Sequence, residues 1–264
     1  MANKRVLAND GIDKLGKQLL EAAGFFVETT KAPEGQLIET INAGNFDVLL
    51  VRSATKVTAE VLDACSGLKL VGRAGVGMDN IDLKHAQVKG VKVVNTPASS
   101  SQSVAELVFA HLFSGVRFLQ DSNHLMRSQG DTHFADLKKK YGAGIELSGK
   151  TMGIVGFGRI GQAVARMAIG LGMNVVASDP FIKEATIVLH IRPIDQDVEV
   201  KIQTSSLDEV LEKSDFISLH VPRKINGQSL IAEAELSKMK MGVGLVKAAR
   251  GGVIDEDALI EAAK

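Results

Sequence analysis

The stretch "TMGIVGFGRIGQAVARMAIGLG", which begins at Thr151, constrains this chain more than any other. A short apolar run enters Gly156, Gly158 and Gly161, spaced G-x-G-x-x-G, and an amphipathic run leaves them. That order is a strand, a tight turn and a helix. Each glycine has its own reason to be there. Gly156 permits the turn, Gly158 lets a phosphate approach the backbone, and Gly161 lets the helix pack closely on the strand. A second apolar strand, "NVVASDP", follows and ends in Asp179, eighteen residues past Gly161.

Context turns a weak motif into a specific expectation. Amides at a helix start, here those of Arg159, Ile160 and Gly161, are suited to phosphate oxygens. An acid at the end of the second strand is suited to the hydroxyls of an adenosine ribose. It also repels a 2′-phosphate, so the pattern favours NAD over NADP. The alternative is a glycine-rich turn that binds nothing.

The rest of the chain repeats strand and helix. "KRVLAN", "FFVETT", "DVLLVRS", "KLVGRAG" and "VKVVNTP" are short and Val/Leu-rich, as strands covered on both faces are. Between them lie "DKLGKQLLEAAG", "TAEVLDACSG" and "DLKHAQVKG", which end in Gly24, Gly67 and Gly90 as helix stops. This alternation predicts parallel sheets and an α/β fold with two Rossmann-like domains. The first covers residues 1–99 and the second residues 100–264, with the transition near 96–103. Residues 103–129 form one long amphipathic stretch, in which Ser103 and Glu106 have capping-box spacing. A looser segment, "GDTHFADLKKKYGAGIELSGK", follows. The second sheet continues through "DFISLHVP" and "GVGLVKAA", with "VKIQT" as a further weak candidate.

Composition narrows the partners. Lys and Arg number 31, as do Asp and Glu, so no electrostatic footprint for nucleic acid or an acidic membrane is present. The single Cys65 reads as a small core residue in a reducing compartment. The N-terminus is polar from the start and no apolar stretch approaches a membrane span. The expectation is a cytoplasmic protein without a metal site.

Ligands of open α/β sheets bind beyond the carboxyl ends of the strands. His220 ends one strand and Arg250 follows another, so both belong to the edge that carries the glycine motif. Asp255 is suited to cap the helix after Arg250. An arginine at that edge suits a carboxylate; a loop arginine paired with a nearby acid is the other reading.

At these residues the chain resembles the D-2-hydroxyacid dehydrogenase family, and within it the phosphoglycerate dehydrogenases. "LLVRSATKVTAEVL", "VGRAGVGMDNID", "VVNTP", "SQSVAEL", "LSGKTMGIVGFGRIG", "SDP", "SDFISLHVP" and "AARGGVIDEDAL" occur in the family's order. The resemblance implies two Rossmann-like domains with a cleft, NAD as cofactor, and a homodimer through residues 100–150. It implies oxidation of 3-phosphoglycerate at C2, the opening step of serine biosynthesis. Arg250 then becomes the catalytic arginine that holds the substrate. Arg52, Ser53, Arg73, Val76, Gly77 and Asn95 become substrate-binding, the amides of Val76 and Gly77 meeting its carboxylate; for Arg73 a domain-interface salt bridge is the other reading. His220 and Pro222 join the cofactor site. Two cations at strand ends exceed the need of one carboxylate and suit a phosphorylated hydroxyacid.

Lys138, Lys139 and Lys140 resemble a cluster that reaches a neighbouring subunit; a solvated charge run is the other reading. Lys247, Gly227 and Ser100 depart from the family pattern. The family's histidine and glutamate lie downstream of Arg250, so the resemblance implies that a C-terminal part is missing and that the 264-residue form is inactive. The alternatives are another D-2-hydroxyacid as substrate, or a non-catalytic NAD-binding module.

Overall fold

The structure is a computed structural model that describes residues 4–223 and 226–264. It divides into two units, residues 1–100 and residues 101–264.

In the first unit, five strands form one parallel sheet. They are β1 (Arg5–Ala8), β2 (Phe26–Glu28), β3 (Val48–Val51), β4 (Leu70–Arg73) and β5 (Lys92–Asn95), in the order β2-β1-β3-β4-β5. The helices α1 (Lys14–Ala22), α2 (Leu37–Ala43), α3 (Ala59–Ala64) and α4 (Leu83–Val88) connect them. All five expected strands are present. The helix α2 is additional: its run "LIETINA" buries one residue, Ile41, too few to give a periodic signal. Leu7, Leu49, Val51 and Val71 are buried from the sheet, with Ile41, Val61, Leu62 and Ala86 from the helices and Cys65 among them. Each fully buried Leu, Ile or Val contributes roughly 1.5–3 kcal/mol relative to exposure. Burial also pushes the Cys65 thiol pKa up.

The second unit begins with α5 (Ser101–Val116), α6 (Leu119–Gln129) and α7 (Phe134–Tyr141). Its sheet follows: β6 (Thr151–Val155), α8 (Arg159–Gly170) and β7 (Asn174–Ser178), then the ribbon β8 (Glu184–Ile191) and β9 (Gln196–Gln203). The helix α9 (Leu207–Lys213), β10 (Phe216–Leu219), α10 (Glu233–Leu236), β11 (Gly244–Lys247) and α11 (Glu256–Ala262) complete it. The main sheet is parallel, in the order β11-β10-β6-β7. Chain order reverses between β6 and β10, the point where open α/β sheets bind ligands. Ala105, Val108, Phe109 and Leu112 make one buried ridge of α5, in a core shared with Ala163, Val164, Ala165 and Ala168 of α8.

Several expectations change. Residues 103–129 are two helices, because Phe118 adopts a left-handed φ of 53° and breaks the run. The first starts at Ser101, so Ser103 lies inside its first turn and Glu106 accepts from Gln102 Nε2 at 2.9 Å; the capping box does not form. The looser segment contains α7. Its Lys140 pairs with Asp121 of α6 at 2.6 Å, and the Tyr141 hydroxyl donates to the same carboxylate. "VKIQT" belongs to β9, which pairs antiparallel with β8 instead of extending the main sheet. Ala185, Ile187, Val200 and Ile202 share its inward face, and an isolated bridge joins Thr204 to Ala177 of β7, beside the Ser205 amide, which donates to the Ala177 carbonyl at 2.8 Å. Gly24 and Gly90 stop their helices with φ of 87° and 70°, but α3 ends earlier, at Cys65, and Gly67 has no such role. Among the described residues no helix is long and apolar enough to cross a membrane.

Candidate functional site

The site is built first on the turn between β6 and α8. Gly156 has a φ of 92°, and a Cβ there would lie 2.6 Å from the His220 carbonyl oxygen. Gly161 is closed in differently: a Cβ would run into the Gly156 carbonyl oxygen. Gly158 is the opposite case. It is the N-cap of α8, makes no side-chain cap, and has open space where a side chain would stand. The first amides of the twelve-residue α8 therefore begin beside a bare Cα, an arrangement that fits a pyrophosphate. Arg159 and Ile160 are the first two residues of that helix. Gln162 Nε2 donates to the Phe157 carbonyl at 2.9 Å and braces the turn.

Asp179 lies just beyond β7, as the motif requires, and does more than expected. Its Oδ2 accepts from the Phe157 amide at 2.8 Å, and its Oδ1 accepts from the Phe181 and Ile182 amides at 2.9 and 3.0 Å. The carboxylate ties the glycine turn to β7. Each oxygen retains acceptor capacity for a ribose hydroxyl. These features fit an NAD cofactor.

The other flank of the switch point carries His220, Pro222 and Arg250. His220 follows β10, and its Nε2 sits 2.8 Å from the Ser218 hydroxyl. Burial pushes its pKa down to about 4, so the ring is neutral at pH 7. Its Nδ1 is buried and has no hydrogen-bond partner among the described residues. Pro222 is exposed two residues on. Arg250 is exposed in the loop between β11 and α11, at the sheet edge that His220 shares, since Leu219 and Lys247 are register partners. Asp255 caps α11 by accepting from the Ala258 amide at 3.1 Å. Lys247, the departure from the family pattern, pairs with Glu256 at 3.6 Å and so ties the end of β11 to the first turn of α11. Gly227 has a φ of 77°.

In the first unit the candidate residues also gather at the carboxyl edge of the sheet. Arg52 and Ser53 leave β3 and are exposed; Arg73 ends β4 as the register partner of Val51. Three residues that sequence reasoning passed over hold this edge. Asp10 accepts from the Arg52 amide at 2.7 Å, the Thr55 amide at 3.0 Å and the Thr55 hydroxyl at 2.6 Å. Burial would raise its pKa, but the Thr55 hydroxyl and the two amides outweigh it and hold the carboxyl below the ordinary range. Asn80 donates to the Arg52 and Thr55 carbonyls at 2.8 and 2.6 Å. Asn9 donates to the Thr55 hydroxyl at 2.8 Å. The one signal of Asn9 and Asp10 in the sequence is "ND" directly after a strand, which reads equally well as an ordinary turn, and Asn80 lies in "MDNID", far from the loop that it holds.

Asn95 donates to the Val76 carbonyl at 2.8 Å. Among the described residues the amides of Val76 and Gly77 have no acceptor, so the turn presents two donors with its carbonyl side fastened. Arg73 turns back on its own loop. It folds over Gly75 and donates weakly to the Ala74 carbonyl at 3.5 Å, with its Nε buried and, among the described residues, unpartnered.

Comparison with known proteins gives the family. Residues 109–264 match the D-isomer specific 2-hydroxyacid dehydrogenase NAD binding domain, and residues 6–177 match the catalytic domain of the same enzymes. A hydroxypyruvate reductase of Thermotoga maritima is 40% identical over 262 residues, which are 99% of this chain and 79% of that protein. A D-3-phosphoglycerate dehydrogenase of Methanocaldococcus jannaschii is 38% identical over 262 residues, and there the chain spans 46% of its relative's length. Among solved structures, the apo D-lactate dehydrogenase of Escherichia coli matches with a TM-score of 0.72 at 27% identity, over 98% of this chain and 78% of that one.

Proposed function

We propose that this chain, which belongs to the D-isomer specific 2-hydroxyacid dehydrogenase family, is the NAD-binding and substrate-binding part of an enzyme that oxidises 3-phosphoglycerate to 3-phosphohydroxypyruvate. NAD, when bound, supplies the hydride acceptor. The chain's residues bind and orient. The amides of Arg159, Ile160 and Gly161 hold the pyrophosphate, Asp179 receives the adenosine ribose, and His220 and Pro222 line the far end of the cofactor site. In the first unit the amides of Val76 and Gly77 receive a carboxylate, with Asn95 fixing their turn. Arg52 and Ser53 receive the phosphate, and Arg73 adds positive charge beside them. Arg250 holds the reacting carboxylate and carbonyl. The reading carries a homodimer through residues 100–150 and a cytoplasmic location. Exposed apolar side chains in that segment, among them Leu107, Phe113, Leu119 and Phe134, favour the first.

The observation that carries the substrate is the exposed Arg52, whose loop is pinned through its own backbone by Asp10 and Asn80. A fold that fixes the backbone of the loop at residues 52–55 with four hydrogen bonds leaves the Arg52 side chain to something outside the chain. In the full-length protein, Arg52→Ala should lower kcat/KM for 3-phosphoglycerate roughly ten- to a hundredfold and that for D-glycerate little, since one charge-assisted contact is worth about 1.5–3 kcal/mol. Equal losses for both substrates would remove the phosphate from the reading. The hydroxypyruvate reductase relative favours a second reading, an unphosphorylated D-2-hydroxyacid, and that result would support it. Asp179→Asn keeps an acceptor for the turn and removes the charge; it should narrow the preference for NAD over NADP.

A further inference from the structure

One cation on the second unit has no place in the reading above. Arg223 leaves β10 three residues after His220, on the flank of the switch point away from Asp179. Its side chain lies across Gly252: a Cβ built on that glycine would stand 2.9 Å from Nε, 3.3 Å from Cζ and 3.4 Å from Cδ. Gly252 has a φ of 75° and follows Arg250 by two residues, so the loop that carries Arg250 also seats Arg223. Gly227 bends the other side of the same seat, with its Cβ position 3.7 Å from Nη2. Lys247, the neighbouring cation, is taken by Glu256. Arg223 is exposed and, among the described residues, has no hydrogen bond and no ion pair.

We infer that Arg223 is a phosphate-binding residue, held by the Gly252 loop beside Arg250 at the carboxyl ends of β10 and β11. The guanidinium fork matches phosphate oxygens in pairs. Position limits the source. An adenosine ribose at Asp179 and a pyrophosphate at Gly158 direct the remainder of a dinucleotide across β6 toward β10, because the bare Cα of Gly158 and the end of β7 fix the other half. Two phosphates can come within reach of the β10 end: the pyrophosphate of the cofactor, or a phosphoryl group on the substrate. This inference rests on the reading that the second unit binds NAD, and it adds a contact which the glycine motif does not supply.

Calorimetric titration of the full-length protein separates the sources. NAD is titrated into the wild type, Arg223→Ala and Arg223→Lys. 3-Phosphoglycerate and D-glycerate are then titrated into each protein with NADH present. An alanine variant roughly tenfold weaker for NAD, with lysine in between, assigns Arg223 to the pyrophosphate. Unchanged NAD affinity with a similar loss for 3-phosphoglycerate, and none for D-glycerate, assigns it to the substrate. Unchanged affinity for both ligands overturns the inference. If the wild type binds NAD but neither hydroxyacid, the substrate reading fails and the NAD titration alone decides the role of Arg223.

Discussion

Two edges of this molecule are organised in opposite ways. At the turn between β6 and α8, backbone shape does the work: a side chain would be strained at Gly156 and would collide at Gly161, and Gly158 leaves open space beside the first amides of α8. At the carboxyl edge of the first sheet, side chains do the work. Asp10, Asn80 and Asn95 hold the loops that present Arg52 and the Val76–Gly77 amides. The difference has a consequence for mutation. A backbone-built site fails when atoms are added, and a side-chain-braced site fails when they are removed.

The largest expected effect tests the first half of that contrast. Gly161→Val places side-chain atoms against the Gly156 carbonyl, and neither backbone segment can yield. We expect a loss of about 4 kcal/mol or more in urea unfolding. A cost under about 1 kcal/mol would show that the turn can open, and the contrast would lose its basis.

Next in size is the titration of His220, which borders the same turn. Its folded pKa, about 4, lies below the ordinary 6.5. The unfolded chain therefore binds the additional proton first, and stability falls as pH drops from about 6.5 toward 4. The loss should approach 3 kcal/mol, on the order of what such a displacement implies. Comparing urea midpoints of wild type and His220→Gln across that range checks it. Parallel curves for the two proteins would contradict it.

The braced edge should respond more mildly. Asp10→Ala leaves the Arg52 and Thr55 amides without their acceptor and should cost about 2 kcal/mol. In wild type the Asp10 contribution is present above the usual carboxylate range and disappears as pH falls through its lowered folded value. Asp10→Asn keeps an acceptor oxygen and should recover part of the alanine loss at neutral pH. Substrate affinity should fall in both variants while NAD affinity does not, which separates this edge from the glycine turn.

The smallest effect belongs to Asp255, a single cap on α11 beside the Arg250 loop. Its replacement by Ala should cost about 1 kcal/mol, read as a small drop in Tm. A larger loss would mean that the Arg250 loop itself depends on that cap.

How much was legible follows from the same contrast. Every strand of both main sheets could be read from its apolar run, because Val- and Leu-rich runs bounded by turn residues carry their own signal within a few residues. The glycine motif and the Asp255 cap could be read because each acts within one local turn of chain, and Asp179 because it ends the strand that follows the motif; its bond to the Phe157 amide, 22 residues away, could not. The break at Phe118 could not: nothing in "GVRFLQD" demands a left-handed conformation, yet Phe118 adopts one, with its ring beside that of Tyr141 from α7. Nor could the ribbon of β8 and β9, whose "VKIQT" has the alternation of a strand and no sign of its partner. Asp10 and Asn80 meet Arg52 from 42 and 28 residues away, and Arg223 meets Gly252 only because β10 and β11 are neighbours. The sequence by itself determined the parallel α/β units, the dinucleotide turn and the kinds of residue at the strand ends. Tertiary structure alone decided which side chains hold those ends in place, since periodicity and turn chemistry act over a few residues and a hydrogen bond between distant loops exists only after the sheet has brought them together.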